Sequence, residues 1–150
     1  MLHICDSLNP RYGGPAKAVV DLCKHGAMAD LEVEFVSFGE DREHWNIGFP
    51  VQCFRTKKFA LFHYPVGLGQ WLKANLHRFS GVVIHSMWVE WGWVTARECR
   101  RSGIPYSYFP HGMLEPWSVE RQGFAKRLKK VLYWYLRERH IVTGAKFRIP

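Results

Sequence analysis

The sequence has no C-x-x-C pair and no cysteine spacing of the kind a zinc site uses; its four cysteines stand apart at 5, 23, 53 and 99. Three of them lie inside apolar runs, as small core residues do, so a reduced, cytosolic setting is expected. No uninterrupted apolar stretch approaches the roughly 18 residues that span a bilayer. The opening MLHICDSL lacks the basic segment and long apolar stretch of a signal peptide. The G-x-G-x-x-G fingerprint is also missing, which disfavours a dinucleotide-dependent dehydrogenase. Acid is scarce: 13 Asp and Glu face 21 Lys and Arg, for a net charge of +8. That excess favours anionic partners, whether nucleic acid, acidic lipid headgroups or phosphorylated small molecules, without choosing among them. There is no internal repeat and no low-complexity segment. With 47% apolar and 23% charged residues, intrinsic disorder is excluded.

What is present reads as strand and helix in alternation within one domain of 150 residues. Apolar or alternating runs at 2–5, 31–38, 51–55, 81–85 and 104–109 predict strands. A helix is expected from Pro15, since proline suits a first helical turn, with Val19, Cys23 and Ala27 along one face. Leu68, Leu72, Leu76 and Phe79 share a face over 66–79, and a third helix at 91–102 stops at Gly103. A last helix is predicted over 122–140, with Phe124, Leu128, Val131, Tyr135 and Leu136 as its buried stripe. Strands separated by helices imply an α/β, doubly wound, mostly parallel sheet of Rossmann-like type. In such sheets ligands bind beyond the carboxyl ends of the strands, so unusual residues just after each strand are the ones to seek.

Three places qualify. After the first strand, Gly13, Gly14 and Pro15 precede a helix; a bare backbone and unpaired helical N–H groups suit a phosphate, although a plain tight turn uses the same residues. After the run GVVI come His85, Ser86, Met87 and Trp88, then Trp91 and Trp93. An indole face packs well on a sugar ring; for Trp91 and Trp93 simple seating of the next helix is the better reading. After IPYSYF comes PHGMLEPW. There His111 could hydrogen-bond a sugar hydroxyl or move a proton, and Gly112 keeps the neighbouring backbone bare. The alternative is a loop histidine that caps the turn.

The strings YGGPAKAVVDLCKHG, VVIHSMWVEWGWVTARECRRSGIP and FPHGMLEPWS together resemble the N-terminal domain of family 4 (group 1) glycosyltransferases of the bacterial polysaccharide-assembling type. The resemblance is weakest across residues 39–70. It implies the N-terminal, acceptor-side half of a GT-B fold, in which two Rossmann-like domains face each other across a cleft. It further implies transfer of a sugar, with retention, from a nucleotide diphosphate donor to a glycan or lipid-linked acceptor, without a cofactor or bound metal. By the same resemblance Gly13 and Gly14 lie beside the donor diphosphate, His111 and Gly112 near the transferred sugar, and the loop of His85 and Trp88 on the acceptor side. That loop departs from the family, because Met87 and Trp88 stand where a second histidine and a glycine are common. The family's C-terminal donor-binding domain has no counterpart here. Glu90 and Glu98 are spaced like its paired acids but lack the Phe-Gly between them, and Glu98 is expected on a solvated helix face. The 150 residues are therefore expected to be a truncated half, inactive alone.

Basic residues spread along the chain, and residues 121–139 carry Arg121, Lys126, Arg127, Lys129, Lys130, Arg137 and Arg139 against one acid, Glu138, with Phe124, Tyr133, Trp134 and Tyr135 interleaved. Such a helix can lie on an anionic membrane surface, or it can be the solvated face of an ordinary packing helix. A cytoplasmic protein is expected, with this helix as a candidate contact to the inner face of the membrane. Two other readings stay open: a catalytically dead remnant or interaction domain, and a nucleic-acid-binding module. No recognition helix or aromatic-rich strand motif supports the latter, and no nucleic acid is expected as a partner.

Overall fold

Hydrophobic strands too short to stand alone are brought together in one sheet. The computed structural model describes residues 1–9, 14–25, 30–39, 47–59, 62–111 and 124–148. Its strands are β1 (Leu2–Ile4), β2 (Glu34–Phe38), β3 (Val51–Phe54), β4 (Thr56–Phe59), β5 (Phe62–Pro65), β6 (Val82–Ile84), β7 (Tyr106–Tyr108) and β8 (Phe147–Arg148). Six of them make a sheet in the order β3-β2-β1-β6-β7-β8, and all five of its pairings are parallel. The register sets Leu2 opposite both Glu34 and Val82, and Ile84 opposite both Ile4 and Tyr108. Strand order reverses between β1 and β6, so the crevice that follows such a switch point opens beyond Ile4 and Ile84. β4 and β5 form a separate antiparallel pair that the sequence reading does not include.

Helices cover both faces: α1 (Gly14–His25), α2 (Leu68–Asn75, continued by a 3-10 turn at Leu76–Arg78), α3 (Glu90–Ser102), α4 (Phe124–Tyr133) and α5 (Arg139–Gly144). The period of two along β1 divides the core. Leu2 and Ile4 pack with Val36, Leu68, Leu72, Leu76 and Ile84 beneath α2 and α3. Cys5 packs with Phe35, Val19 and Cys23 beneath α1. All three β6 residues are buried, as expected of a central strand covered on both sides. The predicted face Leu68, Leu72, Leu76 and Phe79 is buried throughout. The helix α3 ends where Gly103 adopts φ 70° and donates its N–H to the Cys99 carbonyl, a conformation glycine reaches without strain.

Two expectations are overturned. Between α4 and α5 the helix passes through a π turn at Trp134–Glu138, whose wider spacing brings residues five apart onto one side. Tyr133, Glu138 and Ile141 therefore face the core, whereas Leu128, Val131, Tyr135 and Leu136 of the predicted stripe are exposed. Glu98 is not on a solvated face: it is 1% exposed. Its carboxylate accepts from Arg97 Nε at 2.9 Å and Arg101 Nη1 at 3.3 Å, which is how a carboxylate is kept charged under cover. The predicted positions Ala27 and Gly13 and the stretch 112–123 lie outside the described residues, and the Phe124 side chain does too.

Candidate functional site

Histidine 3 is the second residue of β1, and alternation turns it toward the face beneath α1. There it is fully buried, its ring 5.2 Å from that of Phe35. His85, the first residue after β6, points the same way as Val83 and meets it. His3 Nδ1 and His85 Nε2 are 2.9 Å apart with the rings nearly parallel, at 14°. His111, two residues after Phe109, completes the row: its Nε2 lies 3.0 Å from His85 Nδ1. At the inner end, Cys23 Sγ of α1 lies 4.0 Å from His3 Nε2. Three imidazoles thus form a hydrogen-bonded ladder, from the core beneath α1 to the carboxyl ends of β6 and β7. His3 is 0%, His85 7% and His111 partly exposed, so the ladder opens toward solvent at His111 alone.

Burial disfavours the charged form of each ring. It lowers the His3 pKa to about 4, helped by the nearby N-terminal ammonium. It lowers His85 well below the ordinary value, and the charges His3 and His111 would carry push the same way. Burial lowers His111 too. At neutral pH the ladder is uncharged. Its rings hydrogen-bond in series and do not converge on a point. Among the described residues no group of three His, Cys, Asp or Glu is placed to hold a metal ion.

Backbone conformation singles out the same loops. Among the described residues two non-glycine positions have positive φ, Trp88 at 64° and His111 at 49°. For a bulky residue such as tryptophan this is uncommon and costs roughly 1–3 kcal/mol where it occurs. At Trp88 the cause is visible. Its backbone N–H donates to Glu138 Oε2 at 3.2 Å, and Glu138 also accepts from the Tyr108 hydroxyl. Burial raises Glu138 to about 7, against the lowering effect of those two bonds. Glu90, also buried, has Arg137 Nε at 3.8 Å. The π turn of the last helix therefore delivers a carboxylate under the 85–89 loop and holds it in shape.

Other sequence-predicted positions divide. Trp91 packs as expected, stacked on Phe38 at 4.5 Å. The Trp93 ring is met by the guanidiniums of Arg100 at 5.4 Å and Arg137 at 4.9 Å. Gly14 is the first residue of α1, while Gly13 and Gly112 fall outside the described residues, so no geometry attaches to them. Sequence reasoning missed His3, Glu138 and Asp6. Asp6, two residues beyond β1, is exposed as a residue, but its carboxylate is turned inward and accepts from the Trp91 indole N–H at 2.8 Å; desolvation raises its pKa against the lowering effect of hydrogen bonds from Ser86 and Trp91. A signal for each existed: a histidine inside an apolar strand, an acid inside a basic helix, and an acid at a strand end.

Set beside known proteins, residues 13–149 match a family model described as a glycosyl transferase 4-like domain. Among solved structures the chain resembles Anabaena HepE, determined in complex with UDP and glucose. The TM-score is 0.55 at 15% identity over 97% of this chain. The chain spans 42% of the length of that protein. None of the curated proteins matches the sequence.

Proposed function

Because this chain belongs to the glycosyl transferase 4-like family, we propose that it forms the N-terminal, acceptor-side half of a two-domain GT-B enzyme. That enzyme moves a sugar, with retention, from a nucleotide diphosphate donor to a glycan or lipid-linked acceptor in surface polysaccharide assembly. The observation that carries this reading is the histidine ladder, which crosses from β1 past the β1/β6 switch point to His111 beyond β7, with a positive-φ residue following each of the neighbouring strands β6 and β7. HepE, of similar fold, holds UDP and glucose, which supports a nucleotide-sugar donor. His111, beside Gly112, contacts the transferred sugar. Gly14, the first residue of α1, and Gly13, which precedes it in sequence, receive the diphosphate through backbone N–H groups. The loop of His85 and Trp88 shapes the acceptor side. A departing diphosphate needs donors converging from both walls of a cleft, so turnover requires the facing domain and these 150 residues alone are inactive.

The exposed apolar residues of the last helix, flanked by Lys and Arg, support a peripheral seat on an anionic membrane, where a lipid-linked acceptor resides. No helix among the described residues is long and apolar enough to cross a membrane.

The test is transfer of radiolabelled sugar from a panel of nucleotide diphosphate sugars by the protein isolated from its own cell, with His111→Ala in parallel. Transfer that depends on His111 supports the reading. Absence of transfer with every donor and every membrane extract offered as acceptor ends it.

A further inference from the structure

A neutral imidazole has one N–H and one bare nitrogen, so each contact in the ladder needs a donor on one side and an acceptor on the other. His85 uses both nitrogens, one to His3 and one to His111. The three tautomers are therefore locked together, and the ladder has two states. In one, every ring carries its proton on Nδ1: His3 Nδ1–H donates to His85 Nε2, and His85 Nδ1–H donates to His111 Nε2. His111 is then left with an Nδ1–H, for which no partner exists among the described residues. In the other, every ring carries its proton on Nε2, all donations reverse, and His111 is left with a bare Nδ1.

The choice is made at the buried end. There the neighbour of His3 Nε2 is the Cys23 thiol, which burial keeps protonated. A thiol is a weak donor and sulfur a weak acceptor, whereas a bare imidazole nitrogen is a good acceptor. With all protons on Nδ1, the S–H points at a bare nitrogen. With all protons on Nε2, an imidazole N–H in a dry core is left facing only sulfur, and an unmade buried donor is costly. The other rings set against these histidines are Phe35 at His3 and Phe109 at His85, and the charge near His3 is the N-terminal ammonium, which has no lone pair either. They supply no lone pair to reverse the order.

We propose that Cys23, His3 and His85 are positioning residues that hold His111 in its Nδ1–H tautomer, so that it meets its ligand as a hydrogen-bond donor to an oxygen of a sugar or phosphate. This rests on the reading that His111 faces the ligand. It further says that His111 does not act there as a base, because its outward nitrogen carries a proton.

The experiment is two-bond 1H–15N correlation NMR of the histidine rings in the full chain at about pH 8, where the rings are neutral. Three rings with protonated Nδ1 and bare Nε2 are expected. A protonated Nε2 on His111 overturns the proposal from the wild-type spectrum alone. Cys23→Ala removes the weak donor, and Cys23→Ser replaces it by a hydroxyl that accepts as readily as it donates. Both are expected to move the His111 nitrogens toward a mixture of the two tautomers, and unmoved signals in both also overturn the proposal. Turnover by the protein from its own cell separates this from the functional reading. It is expected to fall about twofold in Cys23→Ala, the loss when half of the protein holds the competent tautomer. A Cys23-dependent tautomer with His111→Ala turning over normally ends the catalytic reading and leaves the ladder. Turnover that needs His111 with a tautomer indifferent to Cys23 does the reverse.

Discussion

His85 Nδ1 lies 3.0 Å from His111 Nε2, although the two residues are 26 positions apart in the chain and follow different strands. β6 and β7 are parallel neighbours with Ile84 opposite Tyr108, so their carboxyl ends arrive side by side and the residues that follow each are brought together. The fully buried His3 then holds His85 from behind. One ring of the three is free to meet a ligand, and two give it a fixed orientation.

From this follows a contrast between replacements at position 111. Asparagine places an amide N–H near where imidazole Nδ1 stands, and it tolerates the left-handed φ of 49° better than most residues. In the complete enzyme His111→Asn is expected to retain more turnover than His111→Gln, and His111→Ala is expected to lose about 10- to 100-fold, the worth of a hydrogen bond to a charged ligand oxygen. Unfolding free energy should fall by about 1–3 kcal/mol in each, since the buried His85 Nδ1–H loses its acceptor, which is less than the loss in rate would need if the variants merely unfolded. Steady-state rates with urea melts for each variant check this; equal rates for Asn and Gln would contradict a donor at Nδ1.

The ladder and Glu138 make stability depend on pH in opposite senses. His3, lowered to about 4 in the fold, contributes stability that is present above the unfolded value near 6.5 and is lost as pH falls through 4. His85 and His111 shift in the same direction. Glu138, raised from 4.5 to about 7, contributes stability that is present below 4.5 and is lost as pH rises through 7; Glu90 and Asp6 share its direction. Glu138→Gln removes the carboxyl's share. Its loss of stability between pH 7 and 5 should therefore exceed that of the wild type by about 2 kcal/mol. Urea midpoints across that range decide it, and parallel curves would show that Glu138 does not titrate there.

Two glycines should separate a backbone effect from a packing effect. Gly103 sits at φ 70° in open space, so Gly103→Ala is expected to cost about 1 kcal/mol through the left-handed conformation alone. A Cβ on Gly144 would lie 2.5 Å from the Tyr106 hydroxyl and 3.3 Å from Arg100 Nη1. That hydroxyl donates to the Ile141 carbonyl at 2.8 Å, tying α5 to the sheet and with it the π turn that carries Glu138. Gly144→Ala should cost about 2 kcal/mol or more. It should also weaken the hydrogen-exchange protection of the Trp88 amide, whereas Gly103→Ala should not. Equal protection in the two variants would mean that α5 does not support the 85–89 loop.

The alternation of strands and helices was legible because local patterning encodes it: the β-branched run at 82–84 and the four-residue spacing of Leu68, Leu72 and Leu76 admit few other folds. His85, Trp88 and His111 were legible because they follow strands, where this architecture puts ligands. The partners that hold them were not. His3 reads as one polar residue in an apolar strand, and only the pairing of β1 with β6 sets it against His85. Glu98 read as solvated because the period of α3 does not show its two arginines folding over it. The last helix was misread for a related reason: a π turn breaks the 3.6-residue period, so the stripe was extrapolated past the point where it rotates.

That rotation supplies the last prediction. Leu128, Val131, Leu132, Tyr135 and Leu136 are each about half exposed, and Arg139 lies over the Tyr135 ring at 5.9 Å. Apolar side chains and basic groups thus share one surface of α4 and the π turn. A nucleic acid would engage the charges and leave the leucines in water; an anionic bilayer surface accommodates both. Binding to vesicles of phosphatidylglycerol should therefore exceed binding to phosphatidylcholine and should weaken with salt as the charges are screened. Leu132→Glu, which adds an acid to the apolar face without touching a buried group, should reduce it about tenfold. Co-sedimentation at two salt concentrations reads both terms. Binding that ignores Leu132→Glu but disappears in salt would mean that charge alone attracts this helix, and its leucines would then need a protein partner.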